Sequence, residues 1–117
     1  MVRLIDHAKW LGMPSIVLGE LWSGFLLGSR VQQNRGDLDR FLSHPFVQEI
    51  LIDREVGEIY GDIAVSLRRA GKTIPVNDMW IAAAAARTGA VVLTYDPHFR
   101  AIQRTASIVL PAPVWNR

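Results

Sequence analysis

The stretch that decides the fold is residues 90–99, Ala-Val-Val-Leu-Thr-Tyr-Asp-Pro-His-Phe. Its first half is apolar and β-branched, which is typical of a strand buried in a parallel sheet. Asp96 follows where this strand ends, and Pro97 comes directly after it. An aspartate before a proline often forms a turn. The carboxyl end of a strand is also the usual place for a functional group in an α/β sheet, so both interpretations stay open.

Helices and strands alternate upstream and downstream of this strand. Before it, a helix is predicted from Asn77 or Asp78 through the alanines to Thr88, ended by Gly89. The other predicted elements are helices at 2–11 (ended by Gly12), 19–30 and 37–42, strands at 15–18 (opened by Pro14) and 47–52, a polar loop at 31–36, a short helix at 97–103 and a strand at 106–110. This alternation predicts an α/β sandwich with a mostly parallel sheet.

The clearest helix begins after Asp53, which is a good N-cap. It ends at Gly71, behind two arginines that favour a helix C-terminus. Its apolar residues recur at helical spacing and are Val56, Ile59, Tyr60, Ile63 and Leu67. We also expect Leu38, Phe41 and Leu42 to be buried on the short helix at 37–42.

Length and composition indicate an ordinary globular protein. The chain has 117 residues, of which 50% are hydrophobic and 21% charged, so we expect a single domain over residues 1–117. No tract is apolar enough to span a membrane and the start has no signal-peptide pattern, which predicts a cytoplasmic protein. The net charge of +2 permits a polyanionic ligand without requiring one.

The absence of cysteine limits the chemistry that the chain can perform. It excludes disulfides, thiolate catalysis and cysteine-bound zinc. The three histidines, His7, His44 and His98, are scattered. Oxygen ligands from carboxylates therefore favour a hard cation, Mg²⁺ or Mn²⁺.

Two further carboxylates lie at positions where a functional group is expected. Asp78 falls in the first turn of a helix, where it either caps the helix or, if Asn77 is the cap, projects elsewhere. Glu20 lies between Leu18 and Leu21. We expect this segment to be well covered, and a covered carboxylate needs a charged partner or a metal. A solvated Glu20 is the alternative.

Three stretches with these acids occur in a fixed order, residues 14–21 (Pro-Ser-Ile-Val-Leu-Gly-Glu-Leu), 77–83 (Asn-Asp-Met-Trp-Ile-Ala-Ala) and 92–99 (Val-Leu-Thr-Tyr-Asp-Pro-His-Phe). Together they resemble the PIN domain of the VapC-type toxins of bacterial toxin–antitoxin pairs. The helix from Glu58 to Gly71 is similar to the long helix that leads into the family's Asn-Asp motif. The resemblance runs over essentially the whole chain and implies a PIN-like three-layer sandwich with a mostly parallel sheet.

The resemblance also implies a site and an activity. Glu20, Asp78 and Asp96 match the family's second, third and fourth acidic residues, with Thr94 and Asn77 as supporting residues. In the family these acids surround one or two Mg²⁺ or Mn²⁺ ions, and the proteins cleave RNA endonucleolytically. The implied partners are an RNA substrate, a cognate antitoxin protein and a second copy of the chain in a homodimer.

Basic and aromatic residues are candidates for contact with RNA. The cations that we consider for phosphate contact are Arg68, Arg69, Lys72 and Arg100, followed by Arg87 and Arg104. Solvated surface is the alternative for each of them. Trp22, Trp80 and Phe99 could stack on bases, although core packing is the better interpretation of Trp22 and Phe99.

The family's first central strand and its aspartate have no match in the sequence. Asp6 lies only 14 residues before Glu20, too close for the family's intervening helices, and we interpret it as a surface residue on a remnant of the second helix. A start site placed too far downstream and a natural truncation are competing explanations. Because the missing strand would leave unpaired edges, we expect the gap to be closed by rearrangement or by another copy.

Two other functions therefore stand beside the ribonuclease. One is a catalytically inactive truncated PIN domain that binds an antitoxin or dimerises. The other is an unrelated α/β regulatory domain with an acidic pocket.

Overall fold

The computed structural model describes residues 10–94 and 96–109. Contacts divide the chain into two compact units, with the boundary between Leu51 and Ile52. The helix predicted at 2–11 falls almost entirely outside the described residues, and so does Asp6. The single domain over residues 1–117 stays a prediction.

The described residues of the first unit form two strands and two helices. They are β1 (Leu11–Pro14), α1 (Ser15–Leu27), α2 (Val31–Leu42) and β2 (Val47–Ile50). β1 and β2 pair in parallel, with Leu11 opposite Val47 and Pro14 opposite Ile50. The hydroxyl of Ser15 donates a hydrogen bond to the carbonyl of Ile50 at 3.2 Å, which ties the start of α1 to the end of β2.

The strand predicted at 15–18 is wrong, because these residues form the first turn of α1. Pro14 ends β1 instead of opening a strand, and its extended backbone lets a helix start at the next residue. Gly12 lies inside β1 and does not end a helix. A Cβ atom at Gly12 would lie 2.5 Å from the Cδ1 atom of Ile50, so a larger residue here would require the Ile50 side chain to shift.

The polar loop predicted at 31–36 is also wrong, since α2 begins at Val31. Most side chains of this stretch are exposed, and a solvated helix face accepts polar residues. Neither α1 nor α2 contains a buried residue. The expected burial of Leu38, Phe41 and Leu42 is therefore wrong, and all three are half-buried. Helical periodicity identifies the apolar face but not what covers it.

The part of the second unit that the structure describes has two helices, a 3₁₀ helix and two strands. They are α3 (Arg54–Arg69), α4 (Val76–Thr88), β3 (Val92–Thr94), the 3₁₀ helix (Pro97–Ala101) and β4 (Ser107–Val109). β3 and β4 are parallel, with Val92 opposite Ser107. Both described strand pairings are thus parallel, and the mixed α/β arrangement is confirmed. How a sheet without the family's first strand is completed stays a prediction.

The core of the second unit is the packing of α3 against α4. α3 buries Val56, Ile63 and Leu67, as its apolar stripe predicts. α4 buries four consecutive alanines, Ala82–Ala85. Phe99 is 3% exposed, which confirms its core interpretation. Gly89 ends α4 as predicted, with a φ of 72° that glycine adopts without strain.

Asp53 caps α3 as the sequence predicts. Its Oδ1 atom accepts a hydrogen bond from the backbone N–H of Val56 at 2.9 Å. This contact satisfies one of the N–H groups that the first turn of a helix leaves without a partner. Glu55 adds negative charge to the same turn.

We predict that Asp53→Ala lowers the free energy of unfolding by about 1 kcal/mol because the cap is removed. Asp53→Ser is the matched control, since serine keeps a cap oxygen. Urea unfolding followed by circular dichroism measures both variants. Equal stability of the alanine and serine variants would contradict the role of the cap.

Candidate active site

The turn at Asp96 is held by two hydrogen bonds and one close side-chain contact among its own residues. The backbone N–H of Asp96 donates to the hydroxyl Oγ1 of Thr94 at 3.0 Å. Oδ1 of Asp96 accepts from the backbone N–H of His98 at 2.8 Å and lies 3.0 Å from the Nδ1 atom of the same residue. Asp96 therefore caps the 3₁₀ helix, which is the turn-forming role that Pro97 favours in the sequence. The two contacts with His98 both use Oδ1, and the other carboxylate oxygen takes part in neither.

Asp78 is the third residue of α4 and is half-buried. Its backbone N–H donates to the carbonyl of Pro75 at 3.1 Å. The predicted helix start and the capping role of Asn77 are wrong, because Pro75 occupies the N-cap and α4 begins at Val76. The extended backbone of Pro75 lets the helix start at the next residue, Val76, which comes before the predicted start at Asn77 or Asp78. A carboxylate in this first turn is stabilised by the helix dipole.

Glu20 is the sixth residue of α1 and is exposed. The expectation that Glu20 is well covered is wrong. Its neighbours Leu18 and Leu21 are only half-buried, and the glutamate side chain is exposed to water. Glu20 belongs to the first unit, whereas Asp78 and Asp96 belong to the second. The convergence of the three acids stays a prediction.

The donors fit a hard cation by their chemistry, because all three are carboxylates. Within residues 10–94 and 96–109, however, no three histidine or acidic side chains are grouped closely enough to hold a metal ion. The described geometry therefore does not assemble a complete set of metal ligands, and the metal belongs to the functional proposal.

The predicted phosphate contacts fall into two groups. Two arginines form ion pairs within the second unit: Arg87 with Glu55 at 2.7 Å and Arg104 with Asp62 at 3.2 Å. The remaining cations are exposed at the end of α3 and on the 3₁₀ helix, and they are Arg68, Arg69, Lys72 and Arg100. This second group is the one available to a polyanion.

Two tryptophans pack against other aromatic rings within the protein. Trp80 lies face to face on Tyr60, with ring centroids 4.0 Å apart and ring planes inclined by 14°. Trp22 is half-buried against the ring of Phe25, and the guanidinium of Arg35 lies 5.3 Å from its ring centroid. The sequence placed Tyr60 on the apolar stripe of α3 but gave no signal for its stacking partner.

The fold agrees with comparisons to known proteins. Residues 1–105 match the family model of the PIN domain. The chain therefore belongs to the PIN domain family.

Within this family the chain is of the VapC type. It is 32% identical to ribonuclease VapC4 of Mycobacterium tuberculosis over 94 residues. This stretch covers 80% of this chain and 72% of that protein. Ribonuclease VapC5 of the same organism is 27% identical over 93 residues, 80% of this chain and 69% of that protein.

Solved structures confirm the PIN-like fold. VapBC2 of Rickettsia felis, bound to a DNA fragment from its promoter, has a TM-score of 0.80 at 28% identity and covers 92% of this chain and 80% of that one. VapBC-1 of nontypeable Haemophilus influenzae has a TM-score of 0.82 at 22% identity. The match covers 99% of this chain and 84% of that one, and at this identity it supports the fold alone.

Of the helices in the described ranges, none has both the length and the apolar character that crossing a bilayer takes.

We predict that Thr94→Val frees the backbone N–H of Asp96 and costs about 1 kcal/mol of stability. Faster amide hydrogen exchange at Asp96, measured by NMR, checks the removal of this bond. Thr88→Val is the matched control, since the Thr88 hydroxyl bonds to carbonyls of its own helix. Unchanged exchange at Asp96 would contradict the role of Thr94.

Proposed function

We propose that the chain is a Mg²⁺- or Mn²⁺-dependent RNA endonuclease, the toxin of a toxin–antitoxin pair. The observation that carries this proposal is the likeness to two ribonucleases over four fifths of the chain. We do not propose the inactive module, because the relatives that share most of the chain carry the name ribonuclease. An unrelated regulatory domain conflicts with the family match.

We propose Glu20, Asp78 and Asp96 as the catalytic acids and metal ligands. A bound ion would polarise the phosphodiester and activate a water molecule. The chain's own contribution is to hold negative charge in place. The hydrogen bond to the Thr94 hydroxyl fixes the backbone at Asp96, and the first turn of α4 fixes Asp78. Asn77 is exposed in that same turn, beside Asp78.

We propose Arg68, Arg69, Lys72 and Arg100 as contacts for the RNA backbone. Their charges are exposed, and none of them takes part in an ion pair among the described residues. Phosphate contacts of this kind raise affinity without selecting a sequence.

A cognate antitoxin is the proposed protein partner. The structural relatives include VapBC assemblies, and α1 exposes apolar side chains that a partner would cover. Leu26 is 60% exposed and Leu27 is 88% exposed. A homodimer and a cytoplasmic location are further parts of the proposal.

We predict that Glu20→Gln and Asp96→Asn each reduce RNA cleavage about a hundredfold or more, because each removes a charge from the site. Both changes suit the local structure. Glu20 is exposed, and asparagine at 96 keeps an oxygen that caps the 3₁₀ helix. Cleavage of a labelled RNA in Mg²⁺ or Mn²⁺ is the measurement.

Asp39→Asn is the control for these variants, since Asp39 is an exposed acid on α2. It should cleave RNA like the parent chain. A parent chain that folds cleanly and leaves RNA intact with either metal would overturn the proposed activity.

We predict that the double variant Arg68→Gln, Arg69→Gln binds RNA more weakly. With single-stranded RNA, the slope of log affinity against log salt should become shallower by about 0.7 for each phosphate that the variant no longer neutralises. Fluorescence anisotropy of a labelled RNA at several salt concentrations measures this slope.

Arg54→Gln is its control, because Arg54 lies at the other end of α3 and pairs with Glu58 at 3.3 Å. An equal fall in affinity in the control would show that only net charge matters and would remove the assignment of these two arginines.

A further inference from the structure

The first turn of α4 is partly exposed to solvent. Pro75 caps it without a side-chain hydrogen bond, and Val76 is 55% exposed. Asn77 is exposed as well. The buried alanines of α4 begin only at Ala82.

The Tyr60–Trp80 stack lies next to this turn. Both side chains are half-buried. Their ring centroids are 4.0 Å apart and their planes are nearly parallel. Since Tyr60 belongs to α3 and Trp80 to α4, the stack joins the two helices at the end where Asp78 lies. An aromatic pair of this kind contributes beyond its buried area.

Asp78 and Trp80 are two positions apart on α4, which places them about 200° apart around the helix axis. Because the Trp80 ring is held against α3, this turn of α4 cannot rotate about the helix axis. The opposite side of the turn is therefore held in place as well. That side carries Asp78. The far end of α4 is held separately, by the ion pair between Arg87 and Glu55.

We propose that Tyr60 is a positioning residue for Asp78, acting through Trp80. The catalytic consequence rests on the proposed ribonuclease function. Tyr60 touches neither RNA nor the reacting atoms in this role. It restrains the turn that carries the carboxylate, so its removal affects the rate of cleavage more than the binding of RNA.

The test compares Tyr60→Leu with two matched variants. Tyr60→Phe keeps the ring and removes only the hydroxyl, so it should behave like the parent chain. Glu55→Gln weakens the contact at the far end of α4 and should leave the first turn unchanged. Thermal unfolding of all three identifies any general decrease in stability.

Two measurements are made on each variant. Amide hydrogen exchange at Asp78 and Met79, whose N–H groups both donate to the carbonyl of Pro75, reports on the first turn. For Tyr60→Leu we expect exchange there to accelerate, and kcat for RNA cleavage to fall, by up to about tenfold with KM unchanged. Exchange at Ala83 and Ala84 should keep its parent value.

Unchanged exchange at Asp78 and Met79 overturns the proposal, whatever the activity. Faster exchange with unchanged kcat, or an equal fall in kcat for Tyr60→Phe or Glu55→Gln, also overturns it. A parent chain that folds but does not cleave RNA overturns the proposed function separately. The exchange measurement then still decides whether Tyr60 holds this turn.

Discussion

The close packing of α3 on α4 is the constraint on which the second unit depends. α3 buries Val56, Ile63 and Leu67, and α4 buries the four alanines at 82–85. A dense interface of this kind tolerates little change in volume. It also sets the direction in which α4 begins and the point from which the chain enters β3.

The sequence predicted the second unit well because its signals there are local. Asp53 caps α3 and Gly89 ends α4 through contacts of neighbouring residues, and the stripe from Val56 to Leu67 follows helical spacing. The first unit was predicted less well. Ile16 and Val17 are β-branched and suggested a strand, yet they lie in α1, because tertiary context overrides a weak intrinsic preference.

The positions of the candidate site residues in helices and strands were predicted in part for the same physical reason. Asp78 and Asp96 lie at a helix start and a strand end, which short-range patterns identify. The exposure of Glu20 depends on what packs over α1, and no periodicity contains that information. The contacts between Tyr60 and Trp80, and between Asp62 and Arg104, join residues far apart in sequence. They follow from packing that local patterns do not encode.

The exposed end of α1 has a consequence for the solubility of the chain. Leu26 and Leu27 present neighbouring apolar surface to water, and apolar surface of this kind promotes self-association. Aggregation increases with the concentration of the free chain. The longer the chain stays without a partner that covers this surface, the less of it remains dissolved. Synthesis together with such a partner would therefore protect the chain itself, as well as the RNA that the proposed nuclease would otherwise cut.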